Sequence, residues 1–200
     1  GLYPSLSGYI PDELFGVNFR FANFPVSYAT GLNTEDLRSN YGLDAADLPL
    51  EEGRSIVIRA PDHPIFAGLD FREGQSVGGG TEVLAVELDG VPLTAEGGLD
   101  RRYPNRFPME LQILATAKAF VANFLWSEDA SERYDGLRDV GLVVEASPCF
   151  DYYCWDLVGR QDGARVISFG SIGYAFALAE QDATFERILL NTIEYLTDDR

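Results

Sequence analysis

The fold class this sequence predicts is an α/β domain of the doubly wound kind, and three observations carry the prediction. The first is the closing stretch from Gly163 to Arg200, GARVISFGSIGYAFALAEQDATFERILLNTIEYLTDDR. A β-run, Ala164 to Phe169, gives way there to the small-residue turn Gly170-Ser171-Ile172-Gly173 and then to an amphipathic helix. Strand, loop and helix in that order form the unit from which doubly wound α/β domains are built. The second is a set of further short apolar runs bounded by Gly, Pro and acidic turns. The third is size: 200 residues, 46% of them hydrophobic, with no internal repeat and no low-complexity linker, read most simply as one domain over 1–200.

Taken in order, residues 1–31 are rich in Gly, Pro and aromatics. Pro11 to Gly16 reads as one helical turn stopped by glycine, and Val17 to Phe21 alternates as a short strand should. Residues 32–53 form a polar excursion with a short helix started by Asn33 or Thr34. Ser55 to Arg59 is a strand. In Pro61 to Leu69 two prolines fix an extended turn and Gly68 ends a helical turn. Glu82 to Leu88 alternates as a half-buried strand, and residues 89–108 read as loop. Leu111 to Ala115 is a short apolar run, strand or helix start. Ala117 to Trp126 is apolar and aromatic, and Ser127 to Arg138 is a polar loop or helix. Val140 to Glu145 is a buried strand. Phe150 to Val158 and Ala164 to Phe169 flank a five-residue turn containing Asp162-Gly163, which predicts a C-terminal β-hairpin. In the closing helix Phe185, Ile188, Leu189, Ile193 and Leu196 fall on one face, and Asp182 is placed to cap it.

Charge excludes whole classes of partner. Thirty-two acids against 15 basic residues leave a net charge of −17, and Lys118 is the only lysine. Nucleic-acid phosphates and anionic membrane surfaces would both be repelled. The acids are spread along the chain, so they read as a solvated acidic surface or as an adaptation to high salt, where screening relieves self-repulsion. No apolar run reaches 18 residues, so no membrane-spanning helix is expected. Nothing in the chain establishes an oxidising compartment, and a cytoplasmic location is expected over a secreted one.

The residues able to do chemistry are few. Cys149 and Cys154 are either two buried thiols or a local disulfide across a turn. Neither has the G-x-C-x-G setting of a nucleophile on a strand-to-helix turn, and no G-x-S-x-G occurs. His63, the only histidine, lies between Asp62 and Pro64, where a turn residue satisfied by backbone is the expected role and general base the lesser one. Gly78-Gly79-Gly80 lacks the pattern of a phosphate loop. Glu145, Asp151 and Tyr152, with Tyr153 and Asp156 nearby, are weak candidates for an oxygen-ligand metal site. No other cofactor is favoured. Gly170 and Gly173 lie at the carboxyl end of the closing strand, where open α/β folds bind ligands, which makes Ser171 and Tyr174 ligand candidates, together with Tyr153.

Several segments resemble a known family. Asp62-His63-Pro64-Ile65-Phe66-Ala67-Gly68-Leu69 is similar to the "hPifxGl" segment of class I glutamine amidotransferase-like domains. Gly163 to Ser171 and Arg187 to Leu196 are similar to the closing segments of the same domains. Gly8 to Val17 resembles a segment of the trimerisation domain of some β-galactosidases. Ala164 to Ile172 and Leu114-Ala115-Thr116 resemble the C-terminal domain of N,N-dimethylformamidase large subunits. The resemblance implies a flavodoxin-like parallel sheet with helices on both faces, and implies that its first strands lie before Gly1. Members of this superfamily without the Cys-His-Glu triad serve in assembly or ligand binding, while the formamidase relatives are hydrolases with an iron site of tyrosines and a carboxylate.

The expectation for function is accordingly a non-catalytic binding or assembly module, with a homo-oligomer or the rest of a larger polypeptide as partner. The alternative is part of a metal-dependent hydrolase of carbon–nitrogen bonds. Carbohydrate stacking on Trp126, Tyr153 and Trp155 rests on aromatic content alone.

Overall fold

A computed structural model describes residues 18–25, 54–81, 83–84, 88–100, 110–122, 134–147, 165–171 and 173–198. Among these residues seven strands share one sheet: β1 (Asn18–Pro25), β2 (Ile56–Ile58), β3 (Ser76–Val77), β4 (Leu88–Pro92), β5 (Glu110–Ala122), β6 (Tyr134–Ser147) and β7 (Val166–Phe169). A one-turn 3-10 helix, Pro64–Phe66, follows β2, and two helices follow β7: α1 (Gly173–Ala179) and α2 (Ala183–Thr197). The mixed α/β content agrees with the sequence reading.

The direction of the sheet does not. Every ladder is antiparallel. The parallel, doubly wound arrangement expected from the closing unit is therefore not found among the described residues. The reason lies in the connections. Neighbouring parallel strands need long crossovers, usually helical. Between β5 and β6, which share the longest ladder, only residues 123–133 intervene, too few for such a crossover.

The sheet is organised by its two longest strands. β5 and β6 pair along nearly their whole length, from Glu110↔Ser147 to Ala122↔Tyr134. Near the 110–117 end β2 flanks β5 through Val57↔Thr116, and β7 flanks β6 through Val143↔Phe169. At the other end β1 takes the same edge of β5, β4 takes the same edge of β6, and β1 pairs with β4. One end of the β5–β6 pair thus lies in an open sheet, β3-β2-β5-β6-β7, while the other is closed into a four-stranded ring, β5-β1-β4-β6.

Two compensating bulges sit where these regimes meet. Ile113 faces Val144 and Ala115 faces Val143, so Leu114 is an extra residue on β5; Thr116 then faces Gly141, so Leu142 is an extra residue on β6. Each bulge frees a carbonyl from the ladder. That of Leu114 accepts the N–H groups of Arg59 and Ala60, and that of Leu142 accepts from Gly170. Both side chains are fully buried.

The main core lies between the sheet and the helices. Ile56, Ile58, Leu114, Val140, Leu142 and Val143 meet Ile65, Phe66, Tyr174, Phe185 and Ile188. A smaller cluster of Val91, Leu93 and Val144 covers the opposite face. Gly141 sits where β4 and β5 both press on β6: a Cβ there would lie 2.7 Å from Ile113 Cδ1 and 3.3 Å from Val91 Cβ, so the Ile113 side chain would have to shift.

Other expectations shift in detail. Of the strand expected over 82–88, Val83 and Leu84 are buried outside any strand, residues 82 and 85–87 lie outside the described residues, and β4 runs from Leu88 into the stretch expected as loop. Upstream, the Thr81 N–H closes a turn onto the Gly78 carbonyl. Gly78 takes φ +82°, and its missing Cβ leaves room for the Phe185 ring. The apolar run 111–115 is strand, continuous to Ala122, and the polar stretch expected as loop or helix is already β6 from Tyr134. The expected hairpin is described only at β7, whose ladder partner is β6; residues 150–164 lie outside the described residues. So do the helical turn at 11–16 and the excursion at 32–53.

Candidate functional site

The segment expected as a single closing helix is two. Gln181 adopts φ +58°, the Asp182 N–H reaches the Ala177 carbonyl and the Gln181 N–H the Leu178 carbonyl. Those paired bonds around a left-handed residue end a helix. Asp182 then starts the next one, its Oδ1 accepting from the N–H groups of Thr184 and Phe185 at 2.9 and 3.3 Å, as its sequence position predicts.

The face α2 turns inward is partly polar. Phe185 and Ile188 enter the core, followed by buried Asn191 and Thr192. Asn191 Nδ2 donates to the carbonyls of Ile65 (3.0 Å) and Ala67 (2.9 Å), closing the end of the 3-10 turn onto the helix. One turn further, the Tyr195 hydroxyl donates to Glu145 Oε1 at 2.8 Å. Glu145 lies two residues from Val143 on β6 and so faces the same side of the sheet.

His63 completes this node. Its Nε2 lies 2.8 Å from Glu145 Oε2, and its Nδ1 accepts from the Ile65 N–H at 3.4 Å. The tautomer that fits both contacts carries the proton on Nε2. The ring also meets Tyr195 edge-on at 5.1 Å. Arg165 lies over the Tyr195 ring, 4.8 Å from its centroid, with Nε 3.9 Å from Glu145 Oε1.

A general base needs one ring nitrogen free for a substrate proton. Here one nitrogen holds the carboxylate and the other caps its own turn, so the backbone-satisfied reading of His63 applies at Nδ1 and the Glu145 contact lies outside it. Glu145, a weak metal candidate by sequence, accepts from the Tyr195 hydroxyl and meets His63 and Arg165, while its companions in that set, Asp151 and Tyr152, lie outside the described residues. Among the described residues no group of three or more His, Cys, Asp or Glu could hold a metal ion. The cluster ties the 3-10 turn, β6, β7 and α2 together around one carboxylate.

The other predicted residues fall in different places. Ser171 is buried, pairs by a bridge with Leu88, and its Oγ accepts from the Gly173 N–H to open α1. Tyr174 packs between Phe169 (4.6 Å) and Phe185 (5.1 Å). Its hydroxyl is buried without a hydrogen-bond partner, and burial pushes the phenol well above its ordinary value. Asp151, Tyr152, Tyr153, Cys149 and Cys154 lie outside the described residues, as do Trp126 and Trp155.

The feature the sequence reading missed is on the outside of α2. Of the apolar residues assigned to one face, only Phe185 and Ile188 are buried; Leu189, Ile193 and Leu196 are exposed, and so is Leu190 at 54%. Phe176 of α1 is exposed too. Four large aliphatic side chains along one side of a 15-residue helix form a surface of the kind that marks an interaction site. The available signal was the second set of spacings, 189-190-193-196, which the one-face assignment merged with the first. No helix among the described residues is long and apolar enough to cross a membrane. Comparison with known proteins finds no matching family model, no similar curated protein and no similar solved structure.

Proposed function

We propose that this chain is a non-catalytic binding or assembly module whose working surface is the outer face of α2. The observation that carries the reading is the solvent exposure of Leu189, Leu190, Ile193 and Leu196 along one side of the helix. The engagement of His63, Tyr195 and Arg165 with Glu145 supports it, because these groups are committed to holding the fold. Within this reading the chain is a relative of glutamine amidotransferase-like domains on the strength of its closing segments and its His63-to-Leu69 turn. The flavodoxin-like parallel sheet of those domains is not part of the proposal, since the described ladders run antiparallel.

Sedimentation velocity of the full chain over a micromolar series tests the reading. Reversible association supports assembly. A monodisperse monomer throughout, in low and in molar salt, removes it. The hydrolase alternative draws on Tyr152 and Tyr153 and predicts stoichiometric metal with amide turnover; elemental analysis and an amidase assay of the intact protein test it.

A further inference from the structure

We infer that the outer face of α2 pairs with the same face of a second copy, antiparallel, about a twofold axis passing near Leu190. The inference rests on the assembly reading above and adds its partner, surface and register.

The stripe is self-complementary in position. Leu190 is the midpoint of Ala183–Thr197. A twofold there overlaps the two helices along their whole length and sets Leu190 beside its counterpart, with Ile193 facing the partner's Leu189 and the stem of its exposed Glu186, and the reverse. Isologous contacts of this kind are the commonest way that identical chains associate. Helices pack on residues at such three- and four-residue spacings.

Charge selects the same register. Arg187 and Glu194 are exposed and lie seven residues apart, two turns, along one flank of the stripe. In antiparallel helices equivalent flanks meet. The register that centres Leu190 brings Arg187 against the partner's Glu194 and Glu194 against the partner's Arg187. Within one chain these two side chains are about 10 Å apart along the helix and do not pair; across the twofold they form two reciprocal ion pairs. A parallel arrangement would instead set this flank against the opposite flank of the partner helix and forgo both pairs.

The whole-molecule charge gives the association a signature. Two chains of −17 repel one another, and this long-range term outweighs two exposed ion pairs worth at most about 1 kcal/mol each. Screening the repulsion while strengthening apolar burial makes the dimer tighter as salt rises, opposite to an interface held mainly by charge.

The test is sedimentation equilibrium of the full chain in low and molar NaCl, with charge swaps at exposed positions that leave the core untouched. The expected result is a monomer–dimer equilibrium that tightens with salt and is lost in Leu190→Gln/Ile193→Gln. Arg187→Glu and Glu194→Arg each weaken the homodimer roughly tenfold, the equivalent of about 1.4 kcal/mol. Mixing those two variants restores association as a heterodimer, since every cross-pair is then opposite in sign. The double swap Arg187→Glu/Glu194→Arg in one chain also restores it. Association that persists through the stripe variant and ignores the swaps overturns this interface while leaving an assembly module; a monomer in every salt overturns both.

Discussion

The two sides of α2 invert the usual arrangement of a surface helix. The inward side carries Asn191, Thr192 and Tyr195 behind its two core residues, and the outward side carries three leucines and an isoleucine. The polar groups are inside because each has a fixed partner: Asn191 takes two orphan carbonyls, Tyr195 takes Glu145, and the Thr192 hydroxyl donates to the Ile188 carbonyl at 2.7 Å. Burial of a polar group is tolerated when its hydrogen bonds are made. Nothing in the described fold uses the aliphatic groups outside. One side holds the molecule together, and the other is available to something else.

Substitutions separate the two sides, and the largest effects belong inside. Phe185→Ala empties the site between Tyr174 and Gly78 and should cost about 3–5 kcal/mol in denaturant unfolding. Glu145→Ala strands the His63 and Tyr195 donors at once and should cost about 3 kcal/mol, with Glu145→Gln milder because one acceptor remains. Asn191→Ala unties the 3-10 turn, and about 2 kcal/mol is expected.

Tyr174→Phe should act in the opposite direction. It removes a buried hydroxyl with no partner and keeps the aromatic packing, for a gain of about 1 kcal/mol. The pH dependence follows with a definite sign. The folded phenol titrates above its ordinary 10.0 because burial disfavours its charged form. Its contribution is therefore fully present below pH 10 and declines as pH rises beyond it, where only the unfolded chain ionises. Wild type should lose about 1.4 kcal/mol per pH unit more than Tyr174→Phe in that range. The smallest stability effect is expected outside: Leu190→Gln should change unfolding by under about 0.5 kcal/mol while weakening self-association. Loss of stability from Leu190→Gln comparable to Asn191→Ala would break the contrast between the faces.

What was legible in the sequence was local. Asp182 announces its helix because a capping carboxylate acts two and three residues away, and His63-Pro64 announces a turn because proline fixes its own backbone. The strands at Ile56–Ile58 and Val140–Glu145 followed from apolar runs. The direction of the sheet did not, because a strand's own residues do not name its neighbour: β1 pairs with β4 and β5. The break between α1 and α2 was hidden because Gln181 takes the left-handed conformation that sequence reading reserves for glycine. The Glu145 node joins residues 82 and 50 positions apart, with no spacing to recognise. The helix face was misassigned because hydrophobicity alone cannot show that Asn191 and Tyr195 have partners waiting.

The ring at one end of the β5–β6 pair bears on how a partner can be recognised. Exposed strand edges are templates on which another chain can add a strand, and proteins that avoid such pairing close or shorten them. Here β1 and β4 seal one end against each other. At the open end the outermost strands are β3, two residues long, and β7, four residues long. The described sheet thus offers little backbone to an incoming strand, and main-chain pairing is a poor route to either specific capture or fibrillar stacking. For the proposed assembly this leaves side chains as the means of recognition, where a single substitution can set or change the choice of partner.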